Sequence, residues 1–186
     1  MTHEELKKKV LALIEELNPN NPNLTDDPDI SAKYNFVANQ VMFEMVRLKK
    51  LSKYVEMPVV KGQLVTFEDI GKKVGYEVYQ LGKVAGVRYE SKANGTVLKI
   101  LEDGTAEIDC FIFPEQITEK TKGNYEFELP ADVLEIMPYG IAADLLKSDI
   151  SSDYGREYAM RYAEMLQRLD PRNIMPTIYI EGGVCI

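Results

Sequence analysis

Leu129-Pro130-Ala131-Asp132-Val133-Leu134-Glu135-Ile136-Met137-Pro138-Tyr139-Gly140-Ile141-Ala142-Ala143-Asp144-Leu145-Leu146, then a polar turn, then Tyr154-Gly155-Arg156-Glu157-Tyr158-Ala159 through Met165-Leu166-Gln167-Arg168-Leu169, reads as two antiparallel helices. The first is apolar nearly all round, so it is expected to be buried or shared between chains. Leu134, Met137, Ile141 and Leu145 form its main stripe, widened by Val133, Ala142 and Leu146. Pro130 suits a first turn, where a missing N–H costs nothing. Pro138 removes the hydrogen bond to the Leu134 carbonyl and is expected to bend or split the helix. In the second helix Tyr154, Tyr158, Tyr162, Met165 and Leu169 share one side. Glu157 with Arg161, and Glu164 with Arg168, stand in the favourable i, i+4 order. Ser152 or Asp153 is the expected cap, and Asp170-Pro171 closes the helix.

Outward from this pair, the amino terminus is helical again. Thr2 and Glu5 have capping-box spacing. Leu6, Val10, Leu13, Ile14 and Leu17 then recur at steps of three and four, until Asn18-Pro19 ends the helix. Asn18 to Pro28 is a loop rich in Pro, Asn and Asp. A second helix is expected from Asp29 or Ser31, with Tyr34, Val37, Ala38, Val41, Met42, Met45, Leu48 and Leu51 inward. Arg47, Lys49, Lys50 and Lys53 crowd its final turns, where positive charge complements the helix dipole.

Near Met57-Pro58 the period changes from 3.6 to 2. Residues from Val59 to Leu129 are β-branched and aromatic, punctuated by glycines. Asn94-Gly95 and Asp103-Gly104 are two-residue turn signals, predicting a meander of Val87–Ser91, Thr96–Leu101 and Thr105–Phe113. Ala106, Ile108, Cys110 and Ile112 alternate with Glu107, Asp109, Phe111 and Phe113, so one face is buried and the other turns apolar toward its end. Further strands are expected at Gln63–Phe67, Tyr76–Gln80, Ile117–Lys120 and Tyr125–Leu129. The fold expected is α+β: a discontinuous four-helix bundle, two helices from each end, with an inserted small antiparallel β sandwich or barrel. The expected divisions are 1–57 plus 130–175 for the bundle, 58–129 for the β insert and 176–186 for a carboxy-terminal arm.

A chain of 186 residues, 45% apolar and 28% charged, is globular in balance. Its net charge of −8 argues against wrapping nucleic acid, which needs clustered Lys and Arg. Such a surface either keeps the protein soluble or lines a passage along which DNA slides without specific binding. Cys110 and Cys185 have no metal-ligand spacing. No signal peptide is evident after Met1, and no apolar run is long enough to span a membrane.

Chemistry-bearing patterns are sparse. His3, the one histidine, is expected to be solvated in the first helical turn. There is no glycine-rich phosphate loop. Glu107, Asp109 and Glu115 are the best acidic cluster for paired-carboxylate chemistry, with an exposed strand face as the alternative. Asp149 and Asp153 lack an ordered calcium-ligand series. No catalytic residue, cofactor or metal is assigned. The tail Ile178-Tyr179-Ile180 to Val184-Cys185-Ile186, hinged at Gly182-Gly183, either returns to its own fold or adds to a neighbouring chain.

Leu129-Pro130, Pro138-Tyr139-Gly140-Ile141-Ala142-Ala143-Asp144-Leu145-Leu146 and Tyr158 to Leu169 resemble the closing helix pair of head-to-tail connector (adaptor, or neck) proteins of tailed bacteriophages. The resemblance extends over roughly Val10–Val55 and Pro130–Pro176. It implies a structural virion protein, assembled in the host cytoplasm and resident in the neck. Copies of the chain would form a homo-oligomeric ring, commonly twelvefold, between the portal protein and the tail or a further neck protein. DNA would pass through, with no cofactor and no turnover. Tyr139, Gly140, Ala142, Ala143, Tyr154, Tyr158, Ile178, Tyr179, Ile180, Val184 and Ile186 are the residues expected at contacts with sister chains or portal. The alternative is a non-enzymatic binding module whose β unit recognises a carbohydrate or protein. A small hydrolase built on paired carboxylates is a third reading.

Overall fold

The computed structural model describes residues 1–148 and 153–169. Helix α1 spans His3–Leu13, opened by the capping box of Thr2 and Glu5, whose paired bonds are 2.9 and 3.2 Å. It stops a turn before Leu17. Glu15 adopts a left-handed φ of 61°, and the amides of Glu15 and Glu16 donate back to the carbonyls of Ala12 and Leu11. Those two bonds are the closing pattern that satisfies a helix's last carbonyls. Asn18 and Asn21 then tie the loop through their side chains to Asp26 and the Thr25 carbonyl.

Helix α2 spans Pro28–Lys49 and begins earlier than expected, because Asp27 caps it and Pro28 takes its first position. Strand β1 (Ser52–Val59) follows at once, turned by the left-handed Lys50. The remaining insert holds β2 (Leu64–Thr66), α3 (Phe67–Val74), β3 (Glu77–Ala85), β4 (Tyr89–Lys92), β5 (Val97–Ile100) and β6 (Gly104–Phe113). Helix α4 (Ala131–Leu145) and helix α5 (Asp153–Leu169) complete the described chain. None of its helices is long and apolar enough to cross a membrane.

The expected insert of sandwich or barrel form is not what the strands build. They form two separate antiparallel sheets of three strands, ordered β1-β6-β3 and β2-β5-β4, neither closed into a barrel. The predicted meander is divided: β4 pairs with β5, but β6 pairs with β1 and β3 in the other sheet. Helix α3 is the reason closure is not needed. Its Ile70 is fully buried with Val65, Leu98, Ile108 and Ile112, so a helix supplies apolar cover that further strands would otherwise provide. Its signals stand in the sequence: Thr66 and Asp69 make a capping box, and Gly75 ends it at a φ of 79°. Neither 117–120 nor 125–129 is a strand. That segment crosses the start of α1, with Tyr125 and Gly123 carbonyls accepting from His3 and Glu4 amides.

The expected four-helix bundle is corrected as well. Four one-stripe helices around a shared axis make a bundle. Here α4 is a central helix, with Val133, Met137, Ile141 and Ala142 fully buried, and α1, α2 and α5 pack around it. An all-round apolar helix demands neighbours on several sides, which a bundle position does not give. α4 also runs unbroken through Pro138, which is itself buried; the packing around it holds the helix where the lost hydrogen bond would let it split. This core includes Phe113 from the end of β6, next to Ile112 in the core of the sheets.

Candidate interaction site

The outer side of α2 carries Phe36, Phe43 and Arg47, spaced seven and four residues apart, opposite the buried stripe of Tyr34, Val41 and Met45. Phe36 is 72% exposed. Phe43 meets the sheet: its ring lies 4.8 Å from that of Phe113, which stacks on Tyr79 at 4.5 Å, and Tyr79 stands 6.4 Å from Phe111. Tyr79 also donates to the Val46 carbonyl at 3.3 Å. α2 and the sheet thus form a step floored and walled by aromatic rings.

Cations cap this step. The Arg47 guanidinium sits 5.3 Å above Phe113 and the Lys50 ammonium 5.3 Å above Phe111. The two other members of the basic cluster are neutralised. Lys49 pairs with Asp132 at 2.6 Å; Lys53 lies over Tyr76 and reaches Glu128 at 3.5 Å. Among the described residues Arg47 and Lys50 have no carboxylate partner within 4 Å. Helix-dipole complementarity is therefore only part of what this cluster does. Cation–aromatic contacts hold the α2 terminus on the sheet, each worth about 0.5–1 kcal/mol at an exposed site.

Farther along the same face of β1-β6-β3, Tyr54, Glu56, Glu107 and Asp109 are open to solvent. Tyr54 donates to Glu56 at 2.9 Å. That bond, with burial and the nearby charges of Glu107 and Asp109, pushes the Tyr54 hydroxyl up to about 12. Gly82 lies bare on this face: a Cβ there would stand 3.3 Å from Asp109 and 3.5 Å from the Phe111 ring. Glu115 does not join Glu107 and Asp109. It lies past the end of β6, and its charge is felt at Tyr76 and Tyr125. Among the described residues no group of three or more His, Cys, Asp or Glu could hold a metal ion.

The other expected contact residues fall into three sets. Gly140, Ala142 and Ala143 are buried within their own chain; Gly140 lies under the Tyr162 ring, whose hydroxyl donates to Glu44 at 2.8 Å. Tyr158 is half-buried and donates to the Leu13 carbonyl at 2.8 Å, while Tyr139 is half-buried beneath the Arg161 guanidinium at 4.5 Å. Tyr154 is exposed and borders a cavity of about 380 Å³ among Leu13, Glu15, Asp29, Ile30 and Leu145. Ile178, Tyr179, Ile180, Val184 and Ile186 lie outside the described residues, as do Asp149 and Cys185. Asp153 pairs with Arg156 at 3.5 Å.

His3 is not solvated. It is only 9% exposed, set between Tyr34 and Phe127, with no hydrogen-bond partner at Nε2 among the described residues. The crossing segment 121–127 covers it, a long-range contact that the local sequence does not signal. Phe36 was likewise missed: it falls off the helix's apolar stripe, and that departure was the available signal.

No protein-family model matches this chain, and no curated protein sequence matches it.

Proposed function

We propose that this chain is a structural virion protein: a head-to-tail connector subunit that forms a ring between portal and tail, through which DNA passes. The observation that carries the reading is the outer face of α2, where Phe36 is exposed and, about three turns further on, Arg47 and Lys50 cap the aromatic step. Phe36 lies on the same helix face as the rings of the step, about three turns from Arg47, and an aromatic side chain open to water there suits a surface that a partner covers. The resemblance of the α4 and α5 sequences to the closing helices of connectors supplies the class of assembly. The acidic balance of the whole chain suits a DNA path without specific binding.

The test is association with portal. The chain, mixed with portal rings of the phage that encodes it, is expected to give a larger species by native mass spectrometry and to appear in purified virions. A chain absent from virions that fails to bind portal overturns the reading. One feature favours a binding module instead: Tyr54, 54% exposed, is ringed by carboxylates on an open sheet, an arrangement able to stack on and hydrogen-bond a sugar. Selective retention on a glycan array, lost in Tyr54→Ala, would replace the connector reading.

A further inference from the structure

We infer that Asn94 is a self-modification site: the Gly95 backbone nitrogen attacks its side-chain amide, which leaves as ammonia, and the aspartate or isoaspartate that results loosens strand β4. The inference is independent of the connector reading.

Two dipeptides in this chain carry the glycine that lets such a ring close, since no Cβ hinders the attacking nitrogen: Asn94-Gly95 and Asp103-Gly104. The structure separates them. The Asp103 carboxylate is held, accepting from the Lys61 amide at 2.7 Å, and Gly104 is paired with Val59 in β6, the central strand of its sheet. The Asn94 carboxamide has no hydrogen-bond partner among the described residues.

The turn itself is easily opened. Ala93, Asn94 and Gly95 are exposed and form a short 3-10 turn between β4 and β5. All three take a left-handed φ, of 48°, 56° and 90°. Glycine adopts this freely and asparagine tolerates it, but alanine is strained there. β4 is an edge strand with every residue exposed, held on β5. A strained, exposed turn at a sheet edge opens locally at small cost, and the opening lets the Gly95 nitrogen reach the side chain.

The step balances. The Gly95 nitrogen bonds to Asn94 Cγ and gives up its proton, the Cγ–Nδ2 bond breaks, and ammonia leaves a succinimide ring. Solvent water adds to either ring carbonyl, giving aspartate or isoaspartate. Both add a negative charge. Isoaspartate also routes the main chain through the former side chain, lengthening the turn. Thr96, which donates its amide at 3.2 Å and its hydroxyl at 2.8 Å to the Ala93 carbonyl, is then drawn away, and β4 loosens on β5.

Ageing the purified full chain in mildly alkaline buffer, with peptide mass spectrometry at intervals, tests this. Conversion is expected at Asn94 ahead of every other asparagine, with Asp103 unaltered until the chain is unfolded in urea. Asn94→Gln, which would have to close a larger ring, is expected to lose its amide at least about tenfold more slowly. Hydrogen exchange of the β4 amides is expected to be faster in the isoaspartate product than in the fresh chain. An intact Asn94, earlier loss at another asparagine, isomerised Asp103 in the folded chain, an equally fast Asn94→Gln or unchanged β4 exchange overturns the inference.

Discussion

Single residues show where neighbours override local rules. His3 occupies a first helical turn, which is ordinarily wet, yet its ring is enclosed. Burial holds its pKa below the ordinary 6.5, assisted by the charge of Lys7 and opposed by the Lys122 and Thr121 carbonyls. The unfolded chain therefore binds a proton at a higher pH than the folded chain does. This contribution to stability is complete above the ordinary value and is lost as pH falls below it toward the folded value. Urea unfolding should show a lower midpoint at about pH 5.5 than at about pH 7, and His3→Gln should flatten that difference. An equal slope in the variant would show that other groups cause it.

At the scale of elements, composition and contact divide the work. Caps were readable: Thr2 with Glu5 opens α1 as its spacing predicts. The equivalent signal of Thr66, Asp69 and Gly75 was present but lay within a β-rich stretch, where alternation masks a helix of eight residues. α4 was readable as a buried helix, but its neighbours were not. Gly140 shows what its packing requires. A Cβ there would stand 2.7 Å from the Tyr162 ring and 2.8 Å from Val41, and Tyr162 is anchored to Glu44. Gly140→Ala gains helix propensity of about 1 kcal/mol, against overpacking that costs about 1–3 kcal/mol. Thermal unfolding should therefore give a lower melting temperature. A raised one would mean that α5 yields easily. In either case this glycine acts inside the chain, where α4 meets α5.

Across the whole molecule, two apolar cores meet at the end of β6. Ile112 belongs to the core of the sheets, while Phe113 belongs to the helical core and carries the rings of Phe43 and Tyr79. Phe113→Ala should cost about 3–5 kcal/mol and uncouple the two parts. Calorimetry is expected to give one transition for the unaltered chain and two for the variant. A single transition at an unchanged temperature would show that the two cores are not joined there. The same joint sets the aromatic step, because Phe113 sits beneath Arg47. Its members lie far apart in sequence, so the basic cluster alone pointed only to a helix terminus.

Amino-acid order alone determined the helical identity of both ends, the alternation along β6, the cap of α1 and the acidic balance. These depend on periodicity and on side chains reaching backbone groups a few residues away. Tertiary structure alone decided which strands share a sheet, that α4 is surrounded rather than bundled, that His3 is enclosed, and that Arg47 and Lys50 stand over rings instead of carboxylates. Such contacts join residues tens of positions apart, and the free energy of burying area does not depend on where along the chain that area arises.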